Sequence, residues 1–242
     1  MKYLVNMSYD GSKYHGYQIQ NNDITIEGEL ERVLSKIFNK NINTIGSSRT
    51  DKGVHAYNQY CHFEADEIDT NRLKHSMNSL LNKSIFIKNI TIVNEKFHAR
   101  YNVKEKEYIY KINMGEFNPI ENDYVLQYNK EIKEDIIKRF INEMNGTHNF
   151  KSFTSDKENN NYERTIEITY EIKENILYLT FKSSGFLRYM IRNIVGLLIE
   201  INDQKKNVED IKKIFNDEDR TSLGKCAEPC GLYLNKVIFE NE

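Results

Sequence analysis

The chain contains no tryptophan, only two prolines and only three cysteines. Each scarcity excludes something. An odd number of cysteines at loose spacing, Cys61, Cys226 and Cys230, is not a disulfide framework. Cys226 and Cys230 have no second pair and no nearby histidine. They suit inert thiols better than a metal site. Long apolar runs are missing too. Met1 to Tyr9 stops at Asp10, too short for a signal-peptide core or a spanning helix, so no membrane is expected and the cytoplasm is the expected compartment. Pro119 and Pro229 are the two prolines, and no tract is of low complexity. Residues 155–163 are the most linker-like stretch and predict a mobile loop. Nor is there a basic excess: the net charge is −2 and the pI is near 6.3. A nucleic-acid partner would therefore require positive charge gathered on one surface.

What is present is ordinary globular material. The 242 residues are 39% hydrophobic and 29% charged, enough for one large domain or two small ones with a sizeable core. Residues 3–9 alternate as a strand, with Tyr3, Val5, Met7 and Tyr9 on one side. Thr25 caps a helix carrying Leu30, Val33, Leu34, Ile37 and Phe38. A strand follows at 57–64. Thr70 predicts the cap of a second helix with Leu73, Met77 and Leu80 inward, and 85–93 is again a strand. The second half repeats this grammar. Tyr108, Tyr110, Ile112 and Met114 alternate. A helix holds Ile132, Ile136, Ile137, Phe140, Ile141 and Met144 and stops near Gly146. Strands 164–173 and 176–183 form a hairpin around Glu174 and Asn175. An apolar helix spans 187–201, and Asn207 with Asp210 caps a short one. The last strand runs from Gly231 to Phe239. This mixture without strict βαβ alternation predicts an α+β fold with a mostly antiparallel sheet.

Three stretches carry chemistry. Gly46-Ser47-Ser48-Arg49-Thr50-Asp51-Lys52-Gly53-Val54-His55-Ala56 is a loop that presents one carboxylate between cations. Standing alone it is a surface turn in which Asp51 bonds its own backbone. In the second, Arg188 and Arg192 lie four apart beside the stripe Leu187, Met190, Ile191, Ile194 and Leu198. An arginine there is either a snorkelling side chain or one that meets a carboxylate or phosphate. The third is Phe97-His98-Ala99-Arg100-Tyr101, followed by Lys106-Glu107-Tyr108-Ile109-Tyr110. Its aromatics fit a core, or a base-stacking surface interleaved with Arg100, Lys104 and Lys106. Gly11 and Gly16 have the spacing of a phosphate loop, but Tyr17 and Gln18 stand where lysine and serine or threonine are needed.

Arg49 to Ala56 resembles the signature loop of the TruA family of tRNA pseudouridine synthases. Tyr9-Asp10-Gly11 with Gly16-Tyr17-Gln18, Phe97 to Arg100, Lys106 to Tyr110, Met190 to Gly196 and Gly231-Leu232-Tyr233-Leu234 resemble that family too, in its order and over essentially the whole chain. The resemblance implies two related α/β halves, 1–104 with the aspartate loop and 105–242 completing a cleft, that share a continuous sheet. It implies isomerisation of uridine to pseudouridine at positions 38–40 of the tRNA anticodon stem-loop, by a homodimer without cofactor or metal. Asp51 matches the catalytic aspartate and Arg192 the basic residue paired with it. Arg49 matches the arginine that helps flip the target nucleotide, and Tyr108 the tyrosine that packs on the target base. Phe97, His98, Ala99, Arg100, Tyr101 and Arg164 fall where the family contacts tRNA. Tyr17 replaces a usual tryptophan, Lys52 a common alanine, and Asp69 an often basic residue, and Glu228-Pro229-Cys230 is an atypical closing motif. Two other classes remain: a non-catalytic RNA-binding or folding-assistant protein, which would not need Asp51, and a glycoside hydrolase, for which no partnered acid is visible.

Overall fold

The computed structural model describes residues 1–156 and 161–240. The linker-like stretch expected at 155–163 therefore falls in part outside the described residues. In chain order the elements are β1 (Lys2–Tyr9), α1 (Ile26–Phe38), β2 (Ile45–Gly46), β3 (His55–Glu64), α2 (Thr70–Leu80), β4 (Ile85–Val93) and β5 (Val103–Asn113). Then come β6 (Leu126–Gln127), α3 (Glu134–Met144), β7 (Gly146–Asn149), β8 (Glu163–Lys173), β9 (Ile176–Ser183), α4 (Met190–Asn202), α5 (Asp210–Asp217) and β10 (Leu232–Phe239). This is the α+β class expected. No described helix is long and apolar enough to cross a membrane.

The chain divides into two compact units. The first is Met1–Lys106 together with the chain from Tyr233 on; the second is Glu107–Leu232. In the first unit β1 lies between β3 and β4 and is antiparallel to both, with Val5 opposite Cys61 and Ile90. β10 runs parallel to β3, with Tyr233 opposite His55. Side chains of β1 alternate strictly, so Tyr3, Val5, Met7 and Tyr9 are all buried. α1 packs Ile26, Leu30, Val33 and Leu34 inward. The Thr25 hydroxyl accepts from the Gly28 N–H at 3.2 Å, as the sequence predicts. α2 differs by one residue. Asp69 rather than Thr70 is its cap, accepting from the Arg72 N–H at 2.8 Å, because a carboxylate is the stronger acceptor there. Leu80, expected inward, is exposed in the last turn.

In the second unit β8 pairs antiparallel with β7 and β9, and β6 runs parallel to β5. Glu174 takes a left-handed turn conformation (φ 54) at the expected hairpin. α3 buries Ile137, Phe140 and Met144. The apolar helix begins at Met190 rather than 187, since Tyr189 just before it is left-handed (φ 62) and interrupts the ladder. At α5 the expected roles reverse: the Asp210 carboxylate accepts from the Asn207 N–H at 2.8 Å.

Candidate active site

Asp51 sits in the first unit on a loop whose backbone is held from several sides. The loop at 10–18 closes over it. The Tyr17 N–H donates to the Thr50 carbonyl at 3.0 Å, and the Val54 N–H turns back to the Asp51 carbonyl at 3.1 Å. Gly16 makes this closure possible: its φ is +94, and a Cβ there would lie 2.9 Å from the Thr50 oxygen. Below the loop, the Tyr9 hydroxyl and Thr50 Oγ1 share a buried hydrogen bond of 2.7 Å. Gln59, fully buried on β3, donates to the Ser48 carbonyl at 2.8 Å and accepts from the Ser47 hydroxyl at 2.7 Å. The Gly11 N–H donates to His55 Nδ1 at 3.1 Å, and Asp10 Oδ1 lies 3.4 Å from the same nitrogen. Each such bond contributes about 1 kcal/mol net. Together they fix the residues on both sides of Asp51, which is itself half-buried.

Positive charge gathers at this loop despite the acidic total. Lys106 Nζ donates to the Ser47 carbonyl at 2.8 Å and Arg100 Nε to the Gly46 carbonyl at 3.4 Å. Burial pushes the Lys106 ammonium down to about 8, and Arg100 and then Arg49 push it the same way. Arg49 is exposed. Lys52, next to Asp51, meets His15 Nε2 at 2.9 Å, whose Nδ1 lies 3.5 Å from Asp23.

The 97–101 segment belongs to the same unit. Phe97 and Ala99 are buried, with Phe97 edge-on to Phe239 at 5.2 Å. They shape the turn, and the Ala99 N–H donates to His62 Nδ1 at 3.1 Å. The surface of the segment is made by Arg100, by half-buried His98 and by Tyr101, whose ring stacks on His98 at 4.1 Å.

The other candidates lie in the second unit. Tyr108 is buried and meets Phe186 edge-on at 5.3 Å. Tyr110, weighed as a stacking residue, is fully buried and its hydroxyl donates to the Glu228 carbonyl, so it serves the core. Arg192 Nε donates to the Ala227 carbonyl at 2.8 Å, and the Ala227 N–H returns a bond to the Arg192 carbonyl at 3.0 Å. The guanidiniums of Arg188 and Arg192 both lie over the Tyr189 ring, at 4.9 and 5.3 Å. The two were expected to share a helix face. Arg188 instead precedes the helix, and it is the ring of Tyr189 that brings them together. Arg164 donates to the carbonyls of Asn161 and Glu163 at 3.1 and 2.6 Å and borders an open polar groove of about 390 Å³. Burial pushes its guanidinium down.

Sequence reasoning missed Gln59, although a polar residue on the inward phase of an alternating strand was a usable signal. The grip of Lys106 on Ser47 left no signal, because the pairing depends on distant parts of the chain. Among the described residues no group of three or more His, Cys, Asp or Glu is arranged to hold a metal.

The sequence matches the family described as tRNA pseudouridine synthase over residues 6–102 and 140–240. The tRNA pseudouridine synthase A of Mycoplasma genitalium is 40% identical over 99% of both chains. That of Malacoplasma penetrans is 39% identical over 99% of this chain and 100% of its own. The tRNA pseudouridine synthase A 2 of Bacillus cereus (strain ATCC 14579) is 37% identical, covering 98% of this chain and 99% of its own. An aspartate loop tied down at both ends is thus carried by a chain that belongs to the tRNA pseudouridine synthase family.

Proposed function

We propose that this protein isomerises uridine to pseudouridine in the anticodon stem-loop of tRNA, at positions 38–40, with Asp51 as the reacting carboxylate. The observation that carries this is the immobilised Asp51 loop, with cations collected beside it, in a chain similar to tRNA pseudouridine synthases over its whole length. The reaction breaks the C1′–N1 bond, turns the uracil and joins C1′ to C5. The proton lost from C5 is balanced by one gained at N1, so no electrons leave and no cofactor or metal is needed. Asp51 either attacks C1′ or takes a proton from C2′. Its fixed backbone lowers the cost of bringing the carboxylate to the sugar. Unstacking the target nucleotide costs a few kcal/mol, which an inserted Arg49 offsets. The resemblance gives Arg192 as the basic residue that partners the acid and Tyr108 as the tyrosine that packs on the base. Arg100, Tyr101, His98 and Arg164 contact the RNA, with Phe97 and Ala99 supporting the turn. The resemblance also supports a homodimer, and the cytoplasm is the compartment the sequence suggests.

Release of tritium from tRNA labelled at uridine C5 tests the assignment. Asp51→Asn is expected to abolish release while tRNA still binds. Turnover by Asp51→Asn refutes the role of Asp51. Binding without any turnover by the unaltered protein supports the RNA-binding class instead.

A further inference from the structure

The two arginines and the lysine beside the Asp51 loop form a cluster in which the assignment above gives Lys106 no part. Arg100 and Lys106 hold consecutive carbonyls, Gly46 and Ser47, and Arg49 follows two residues later. Among the described residues none of the three makes an ion pair. Both arginines act on Lys106, and both act on Glu27. Glu27 is a poor counter-ion. Its Oε2 accepts from the Ile19 N–H at 3.0 Å, and burial pushes its carboxyl up, toward the neutral form. A neutral donor would hold a carbonyl without mutual repulsion. Like charges gathered beside a buried ammonium disfavour one another, and an anion that joins them relieves this. Arg100 spends only Nε on Gly46, which leaves its two terminal nitrogens for a bidentate acceptor.

We propose that Arg49, Arg100 and Lys106 form one phosphate site, which grips an RNA backbone phosphate beside the nucleotide presented to Asp51. This rests on the RNA substrate proposed above. Lys106 has a particular part in it. Because its ammonium also holds the Ser47 carbonyl, phosphate binding and the placement of the loop are coupled through one side chain. The groups acting on Lys106 are Arg100 and Arg49, and its ordinary proton affinity is already weakened by burial. An incoming phosphate reverses the local field and holds the proton on Lys106 to higher pH.

Two measurements test the site. Protein carrying 13C-labelled lysine is titrated through the alkaline range by NMR, with the Lys106 resonance assigned from Lys106→Arg. Without phosphate, Lys106 is expected to deprotonate near 8. Inorganic phosphate at high millimolar concentration should raise its proton affinity about tenfold. Arg49→Gln and Arg100→Gln should each remove most of that rise. A Lys106 transition unmoved by phosphate overturns the site. In the second measurement, KM for an anticodon stem-loop RNA is followed against pH. It should climb several-fold above pH 8 in the unaltered protein and stay flat in Lys106→Arg, which keeps its charge. Equal profiles overturn the RNA assignment, even where free phosphate binds. Because the first readout needs no turnover, a protein that binds phosphate but fails to isomerise uridine refutes the proposed reaction and not the site.

Discussion

The Gly11 N–H points at Nδ1 of His55 from 3.1 Å, and a Cβ on Gly11 would lie 1.9 Å from the Val54 carbonyl oxygen. The two loops around Asp51 thus meet backbone to backbone, with the His55 ring stacked on Tyr233 at 4.6 Å beneath them. Gly11→Ala must push the Val54 peptide away. The expected loss is about 3 kcal/mol of stability, together with a fall in kcat larger than the change in KM. Urea denaturation and steady-state tritium release measure the two effects.

Thr50→Val keeps the shape of the residue before Asp51 but removes the hydroxyl that meets Tyr9 at 2.7 Å inside the core. Taking one member of a buried polar pair costs about 1–3 kcal/mol. Thr50→Ser keeps the oxygen and is expected to retain most of the stability. Equal losses in the two variants would show that the hydroxyl bond does not hold the loop.

Tyr17 predicts the opposite sign. Its hydroxyl is buried and makes no full hydrogen bond, and the neighbouring Cys61 thiol is only a weak partner. Burial pushes that thiol up to about 12, which leaves it unreactive. Tyr17→Phe discards the unsatisfied oxygen and should be neutral or raise stability by about 1 kcal/mol. Tyr17→Trp should destabilise, because the tyrosine ring already fills the space a Cβ on Gly46 would take, at 2.4 Å. Thermal unfolding of both variants decides.

These residues also show how far the sequence could be followed. Alternation in β1 and the 3.6 period of α1 survive folding because each is a local pattern read against one buried face. Arg49 and Asp51 were visible as a loop because glycine, serine and aspartate carry their preference locally. The parallel return of β10 to β3 and the grip of Lys106 on Ser47 join residues far apart in sequence. No window of local sequence contains such pairs. The start of α4 was misplaced for a different reason: Leu187 continues the apolar stripe, but left-handed Tyr189 ends the helical ladder regardless of hydrophobicity.

Acid should loosen the first unit through His62. Its Nδ1 accepts from the Ala99 N–H at 3.1 Å, which requires the neutral ring. Burial, then His98 and Lys2, push it down to about 4, with Glu64 acting the other way and Arg100 adding a little. The unfolded chain takes up this proton at about 6.5 and the folded chain resists it until about 4. This contribution to stability is therefore whole above 6.5 and is lost as the pH falls through that window. The full effect is about 3 kcal/mol, of which about 2 kcal/mol is gone by about pH 5. His62→Asn offers a non-titrating carbonyl to the same N–H and should flatten the dependence. Urea midpoints at neutral and mildly acidic pH measure it, and an unchanged slope in His62→Asn would assign the acid sensitivity elsewhere.

The absence of tryptophan makes one contact directly observable. Tyr101 is 77% exposed, yet its ring is steadied by stacking on His98, whose Nδ1 accepts from the N–H groups of Arg100 and Tyr101 at 3.2 and 3.3 Å. An ordered aromatic face beside Arg100 suits an unpaired base, and such stacking contributes about 1–3 kcal/mol per base. Tyr101→Trp places a single indole in the whole chain. Added anticodon stem-loop RNA should quench its emission, with a midpoint that rises steeply with salt because phosphate contacts release counterions. Tyr101→Ala should weaken RNA binding about tenfold or more, while Tyr101→Phe should bind normally. Emission indifferent to RNA, in a protein that still turns over tRNA, would remove the 97–101 segment from the RNA-binding surface.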